Sequence, residues 1–258
     1  SSGKTTFANR LSVQLRVSGK RPLAISLDNY YKNREDIPLG ADGKPDLECL
    51  ESIDVPLFND QLVELLAGRE VELPLYSFKT KRRLEQGVRL RVDGDQVLVV
   101  EGIHGLNSAL SEEIPSELKY RVYVSALTQL NLDGHNRIRT TDVRLLRRMV
   151  RDARTRHTDV TATMAMWDSV RAGEEKYIFP YQEKADVMFN SSLLYEIAVL
   201  KKYAYPMLKS IPQDSPYYTR SRRLVKFLNY FKDCGDESEI PPTSILREFI
   251  GGCTFYDE

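Results

Sequence analysis

Cysteine is scarce in this chain. Cys49, Cys234 and Cys253 are its three thiols in 258 residues. They are odd in number, widely spaced and without a C-x-x-C pair, which fits a reducing, cytoplasmic compartment. An excess of either charge is also missing. Lys+Arg and Asp+Glu both total 37, so the formal net charge is zero. That argues against a general nucleic-acid or membrane binder, while leaving room for local basic patches. No stretch approaches the roughly 18 apolar residues of a membrane span, and there is neither an internal repeat nor a low-complexity tract. What remains is 41% hydrophobic and 29% charged, the balance of a soluble globular protein. The length suits one large domain, or a domain with an appendage.

The opening residues carry the strongest chemical signal. Ser1-Ser2-Gly3-Lys4-Thr5-Thr6 reads as the second half of a phosphate-binding P-loop, G-x-x-x-x-G-K-[ST]. Glycine lets backbone N–H groups approach a β-phosphate, lysine reaches the β/γ oxygens, and the threonine hydroxyl ligates Mg²⁺. The following helix turns its positive end toward the same anion. A helix start capped by Ser or Thr gives the same letters, so the reading depends on whether the rest of a kinase stands downstream in order. The strand that feeds such a loop, and the loop's first glycine, are expected upstream of Ser1.

Residues 5–18 carry Phe7, Leu11 and Leu15 at helical spacing, closed by Gly19. Pro22–Leu27 is a short apolar run that predicts a buried parallel strand. Asp28 stands at its carboxyl end, where ligands bind in open α/β sheets. A general base for a hydroxyl nucleophile fits there, and so does a turn or N-cap aspartate. Residues 33–56 read as a polar loop with turns at Gly40, Asp42-Gly43 and Pro45. A helix is expected over Leu57–Leu66, then strands over Val71–Phe78 and Val88–Val92. Asp93-Gly94 suits a hairpin turn into the next strand. The intervening Lys79–Arg83 reads more readily as a solvated basic turn than as a phosphate contact.

Val97–Val100 followed by Glu101 describes a buried strand tipped with a carboxylate, the geometry of a metal-associated acid beside a P-loop. His104, just beyond, reads as structural. Tyr120–Val124 predicts another strand. Val143–Arg156 carries Arg144, Arg148 and Arg151 on one helical face. Such a face neutralises a transferring phosphoryl group in kinase lids; a solvated charged face is the alternative. Met164, Trp167 and Val170 mark a core helix over residues 161–175. Ala185–Asn190 predicts the last strand, and Leu193–Tyr203 a helix. Prolines then punctuate two short helical patterns near 221–231 and 244–250. The expected organisation is a kinase-like domain over 1–206 and a helical extension over 207–258.

This succession resembles the uridine kinase/phosphoribulokinase family of P-loop kinases, from Ser1 to about Leu200. The resemblance rests on Ser2-Gly3-Lys4-Thr5, Leu27-Asp28-Asn29-Tyr30-Tyr31, Ile53-Asp54-Val55-Pro56, Leu75-Tyr76-Ser77-Phe78, Val100-Glu101-Gly102-Ile103, Arg147–Asp152 and Lys184-Ala185-Asp186-Val187. It implies an α/β P-loop NTPase fold: a mostly parallel sheet flanked by helices, a small β-hairpin lobe and an arginine-rich lid. It also implies ATP- and Mg²⁺-dependent phosphorylation of a primary hydroxyl, typically a nucleoside 5′-OH. By resemblance Asp28 is the catalytic base, with Lys4 and Arg148 stabilising the phosphoryl group. Ser2, Gly3, Lys4, Thr5, Thr6 and Arg151 would hold ATP. Asp54, Tyr76, Lys81 and Arg148 would contact the acceptor, and Thr5 and Glu101 the metal.

Lys81 stands where uridine kinases usually carry a base-contacting histidine. Thr158 replaces an arginine and Met166 a glutamine of that family's nucleoside pocket. Replacing specific donors moves specificity, so a sugar or pantothenate-like acceptor is the second reading. A non-catalytic ATP- or RNA-binding regulatory module is the third. The extension resembles an unusual bacterial branch, whose kinase often follows a domain similar to the N-terminal part of threonyl-tRNA synthetase. Homo-oligomer formation is left open.

Overall fold

The computed structural model describes residues 1–40 and 43–255; Asp42, assigned above to a turn, lies outside the described residues. The order is α1 (Lys4–Val17), β1 (Arg21–Ser26), α2 (Val55–Leu66), β2 (Val71–Leu73), β3 (Tyr76–Ser77), β4 (Arg82–Arg83), β5 (Val88–Leu90) and β6 (Gln96–Glu101). Next come β7 (Val122–Ser125), α3 (Thr140–Thr155), α4 (Val160–Tyr177), β8 (Val187–Asn190), α5 (Glu196–Lys209), α6 (Tyr218–Leu228) and α7 (Arg247–Ile250). The chain divides into two compact units. One holds Ser1–Phe7, Val124–Ser169 and everything described from Phe189 onward; the other holds Ala8–Tyr123 and Val170–Met188.

In the second unit β1 and β6 pair in parallel, from Arg21 opposite Gln96 to Ser26 opposite Glu101. Parallel pairing brings both carboxyl ends to one edge, which places Asp28 and Glu101 on the same side of this sheet. Gly102 comes directly after, and a Cβ there would lie 2.5 Å from Leu27 Cβ. A side chain at residue 102 would therefore push the strand tip off the segment carrying Asp28. Beneath lie Ile25, Leu27, Tyr30, Ile53, Phe58, Leu62 and Leu65 in one buried cluster. Phe58, Leu62 and Leu65 come from one face of α2, which starts at Val55 with Pro56 in its first turn and Asp54 capping the Leu57 N–H at 3.2 Å.

The expected hairpin at Asp93-Gly94 is not there. β5 pairs antiparallel with β2, and β6 turns instead to β1. The turn passes the chain between two sheets because β6 is an apolar run that is partly covered, with Val99 buried, whereas β5 is largely exposed. The expected β-hairpin lobe does form, from β2–β5 with the short β3–β4 ribbon between them in sequence. The first helix also differs in detail: its buried positions are Thr6, Ala8 and Ser12, while Phe7, Leu11 and Leu15 are half-buried.

The first unit is helical. α3 buries Val143, Leu145, Leu146, Met149 and Val150, α5 buries Ile197, Val199, Leu200 and Leu208, and α6 buries Leu224 and Leu228. α5 runs through Pro206 to Lys209, longer than the expected 193–203. Trp167 and Met164 are buried core, as their spacing implied. β7 and β8 share a sheet. Asp186 N donates to Arg121 O and Ser191 N to Ser125 O, so the bonds advance together along both strands, as in a parallel pair.

Candidate active site

In the first unit the phosphate-binding motif opens α1. Gly3 adopts φ +82°, and its carbonyl accepts the first helical bond from Phe7 N at 2.9 Å. Glycine is required twice here, because a Cβ would also lie 2.6 Å from Ile245 Cγ2. The N–H groups of Lys4, Thr5 and Thr6 occupy the first turn, where no intrahelical acceptor exists. Lys4 and Thr5 are half-buried and Thr6 is buried. Ser2 is fixed through its carbonyl, which accepts from Ser191 Oγ at 2.5 Å. Ser191 stands directly after β8 and was not singled out from sequence.

The same unit holds the arginine helix. Arg148 and Arg151 are both bound to Asp152, at 3.3 Å and 2.7 Å, and Arg156 lies 3.7 Å from it. Burial pushes the Asp152 carboxyl up, but Arg151, Arg148 and Arg156 together carry it below the ordinary value. One carboxylate thus aligns three guanidinium groups. Arg147 points the other way. It is fully buried, pairs with Glu196, and donates to Ser191 O at 2.8 Å and Ser191 Oγ at 3.2 Å. Burial raises the Glu196 carboxyl against the pull of Arg147. Arg147 is therefore a core residue within a motif whose neighbouring Arg148 and Arg151 pair with Asp152.

The second unit carries Asp28, Asp54, Tyr76, Lys81 and Glu101. Asp28 lies in a short 3-10 turn, Leu27–Tyr30, directly after β1. Glu101 ends β6 and its Oε1 accepts from Ser26 Oγ at 2.8 Å, which fixes the carboxylate at the strand tip. Asn29 Oδ1 accepts from Tyr76 N at 3.3 Å, tying the Asp28 turn to the ribbon. Tyr31, Tyr76 and Phe78 then form an aromatic cluster with ring centroids 5.2–6.2 Å apart. Burial raises the Tyr31 hydroxyl pKa, and the charge of Asp28 raises it further, so Asp28 and the aromatic cluster share one neighbourhood.

Asp54 has two protein partners. Its Oδ1 caps α2, and its Oδ2 accepts from Arg83 Nη1 at 3.0 Å. Arg83 also donates to the carbonyls of Tyr31 at 3.0 Å and Tyr30 at 2.9 Å. Arg83 thus anchors the ribbon to the Asp28 segment; within the basic run 79–83, sequence alone gives no reason to separate it from Arg82. Lys32, Asn33, Asp36, Asp54 and Arg83 line a cavity of about 350 Å³. Lys81 is exposed at φ +58°, in the turn between β3 and β4. Thr158 is half-buried after α3, and Met166 is exposed on α4. His104 is buried, as its structural reading implied, and burial lowers its pKa.

Hard oxygen donors suit Mg²⁺, which takes one or two protein ligands beside substrate phosphates and water. The Thr5 hydroxyl and the Ser26-supported Glu101 carboxylate are donors of that kind.

The phosphoribulokinase/uridine kinase family model matches residues 1–197. A uridine kinase of Deinococcus deserti is 29% identical over 188 residues, covering 72% of this chain and 81% of that protein. One of Lactobacillus helveticus is 26% identical over 188 residues, covering 72% and 80%. The uridine-cytidine kinase A of Dictyostelium discoideum is 28% identical over 191 residues, 72% of this chain and 33% of its own length. The phosphate-loop glycine, the acid-tipped parallel strands and the arginine helix accordingly belong to a member of the phosphoribulokinase/uridine kinase family, with its P-loop α/β fold.

Proposed function

We propose that this protein transfers the γ-phosphoryl group of ATP to the 5′-hydroxyl of a nucleoside, with uridine or cytidine as the acceptor. The observation that carries the reading is the Tyr31–Tyr76–Phe78 cluster beside Asp28. Aromatic faces hold a planar base by stacking, and a carboxylate alongside is suited to the sugar hydroxyl. The relatives named as uridine kinases support the same acceptor class.

In this reading Asp28 accepts the proton of the attacking hydroxyl and orients its lone pair. Tyr76 stacks on the base, and Asp54, steadied by Arg83, bonds to the acceptor. Lys81 and Arg148 complete the acceptor contacts. Ser2, Gly3, Thr6 and the first-turn N–H groups bind the phosphate tail, while Lys4, Arg148 and Arg151 stabilise charge on the group in flight. ATP would supply the phosphoryl group, and Thr5 and Glu101 would hold Mg²⁺, which would neutralise the phosphate oxygens.

An acceptor screen on the full-length protein tests this. With ATP and Mg²⁺, uridine or cytidine should release ADP and yield the nucleoside 5′-monophosphate by mass spectrometry. ADP release with sugars or pantothenate-like alcohols, and none with any nucleoside, would overturn the acceptor. Salt-sensitive RNA binding without turnover on any acceptor would overturn the enzyme.

A further inference from the structure

The family match ends at residue 197, yet residues beyond it touch the phosphate-binding elements of the first unit. Glu248 Oε2 accepts from Thr6 Oγ1 at 2.7 Å, across 242 residues of sequence. Ile245 fills the space above Gly3. The carbonyls of Glu248 and Phe249 accept from the Arg154 guanidinium on α3, at 3.3 Å and 3.4 Å. The Phe249 ring lies 5.0 Å beneath the Arg147 guanidinium. At the other end of α3, Arg223 of α6 grips both Asp142 oxygens at 2.6 Å.

The segment is itself rigid. Ile245, Leu246, Phe249 and Ile250 are buried, and Arg247 donates to the carbonyls of Glu237 and Ile240 at 2.7 Å and 2.9 Å. One anchored piece of chain therefore bonds to the helix that starts at the phosphate loop and to the helix that carries the lid arginines.

We propose that residues 244–251 are a built-in brace of the ATP site, with Glu248 as a positioning residue that acts through Thr6. The inference rests on reading the loop at Gly3–Thr6 as the ATP site. A buried hydroxyl held by a carboxylate has one rotamer and a fixed donor direction. Fixing Thr6 fixes the peptide units of the first turn, whose N–H groups face the anion. Because the same residue's carbonyl holds Arg154, loosening it frees both elements together. The extension thereby sets affinity for nucleotide without touching it.

The test uses the full-length protein with a fluorescent ATP analogue, steady-state kinetics and a thermal unfolding control. Glu248→Ala should weaken ATP binding by about tenfold, the worth of one hydrogen bond to a charged group, and raise KM for ATP more than it lowers kcat. Glu248→Gln retains an acceptor oxygen and should recover most of that affinity. Should Glu248→Ala fail to fold, Glu248→Asp, one methylene short of Thr6, takes its place. Wild-type ATP affinity in the folded Ala or Asp variant overturns the inference. A wild-type protein that binds no ATP overturns the nucleotide-site reading instead.

Discussion

Removing Glu196 should cost this protein far more than removing any surface acid. Arg147 has no exposure to solvent, and its side chain is met by Glu196, by both oxygens of Ser191 and by the Phe249 ring. In Glu196→Ala the guanidinium stays buried with only neutral partners. Breaking a buried pair from one side costs about 3–5 kcal/mol, because the surviving charge is uncompensated. Against a typical total of about 5–15 kcal/mol, that is a large fraction. The double variant Arg147→Met with Glu196→Leu removes both charges at similar volume and should recover most of the loss, as apolar replacements of buried pairs commonly do. Denaturant unfolding of the full-length protein, monitored by fluorescence and circular dichroism, measures all the variants. The local reach can be read too: Ser191 also holds the Ser2 carbonyl, so Glu196→Ala should weaken ATP binding. A Glu196→Ala protein within about 1 kcal/mol of wild type would refute the assignment of Arg147 as a buried, paired cation.

The second unit yields three further outcomes. Phe78→Ala removes one ring of the aromatic cluster and should raise KM for the nucleoside about tenfold, since ring pairs contribute about 0.5–1.5 kcal/mol beyond their buried area; an unchanged KM would remove Phe78 from the acceptor contacts. Arg83→Met severs the ion pair to Asp54, one-quarter exposed on the arginine side, and the bonds to the Tyr30 and Tyr31 carbonyls. With solvent screening discounted, a loss of about 1–2 kcal/mol is expected, seen as a fall in kcat/KM for the acceptor with ATP binding retained. Burial lowers the His104 pKa from 6.5, against the weaker pull of the Cys49 and Glu48 carbonyls and of Glu51 and Asp46. The unfolded chain therefore takes up this proton first as pH falls. The contribution of His104 is full above about pH 6.5 and is lost as pH drops through the folded value, at up to about 1.4 kcal/mol per pH unit. Unfolding curves of wild type and His104→Phe should diverge in that direction; parallel curves would contradict it.

What was legible in the sequence was local. Apolar runs ending in Asp28 and Glu101 announce strands because four to six apolar residues between polar turns have few other uses. The glycine at residue 3 and the arginines of α3 likewise declare themselves by residue type. Pairing was harder. Asp93-Gly94 has the letters of a hairpin, but the partner of β6 was chosen by burial of its apolar face against β1, a long-range preference. The arginines were the least separable. Arg147, Arg148 and Arg151 look alike in a row, yet Arg147 lies with Val143 and Val150 on the buried side of the helix, and its partner Glu196 is 49 residues away. Asp152 was visible as the only acid of the stretch, at i+4 from Arg148, but not as the partner of three cations. Glu248 could not have been tied to Thr6 by any periodicity.

The proposed role of Asp28 is that of base in a nucleoside kinase. The most direct measurement compares wild type and Asp28→Asn for acceptor-dependent ADP release, with ATP binding measured in parallel. The amide keeps the shape and loses the proton acceptor. Phosphoryl transfer should fall by about 10²–10⁴-fold while ATP binds as before. Near-wild-type turnover in Asp28→Asn, with uridine or cytidine as acceptor, would contradict the account.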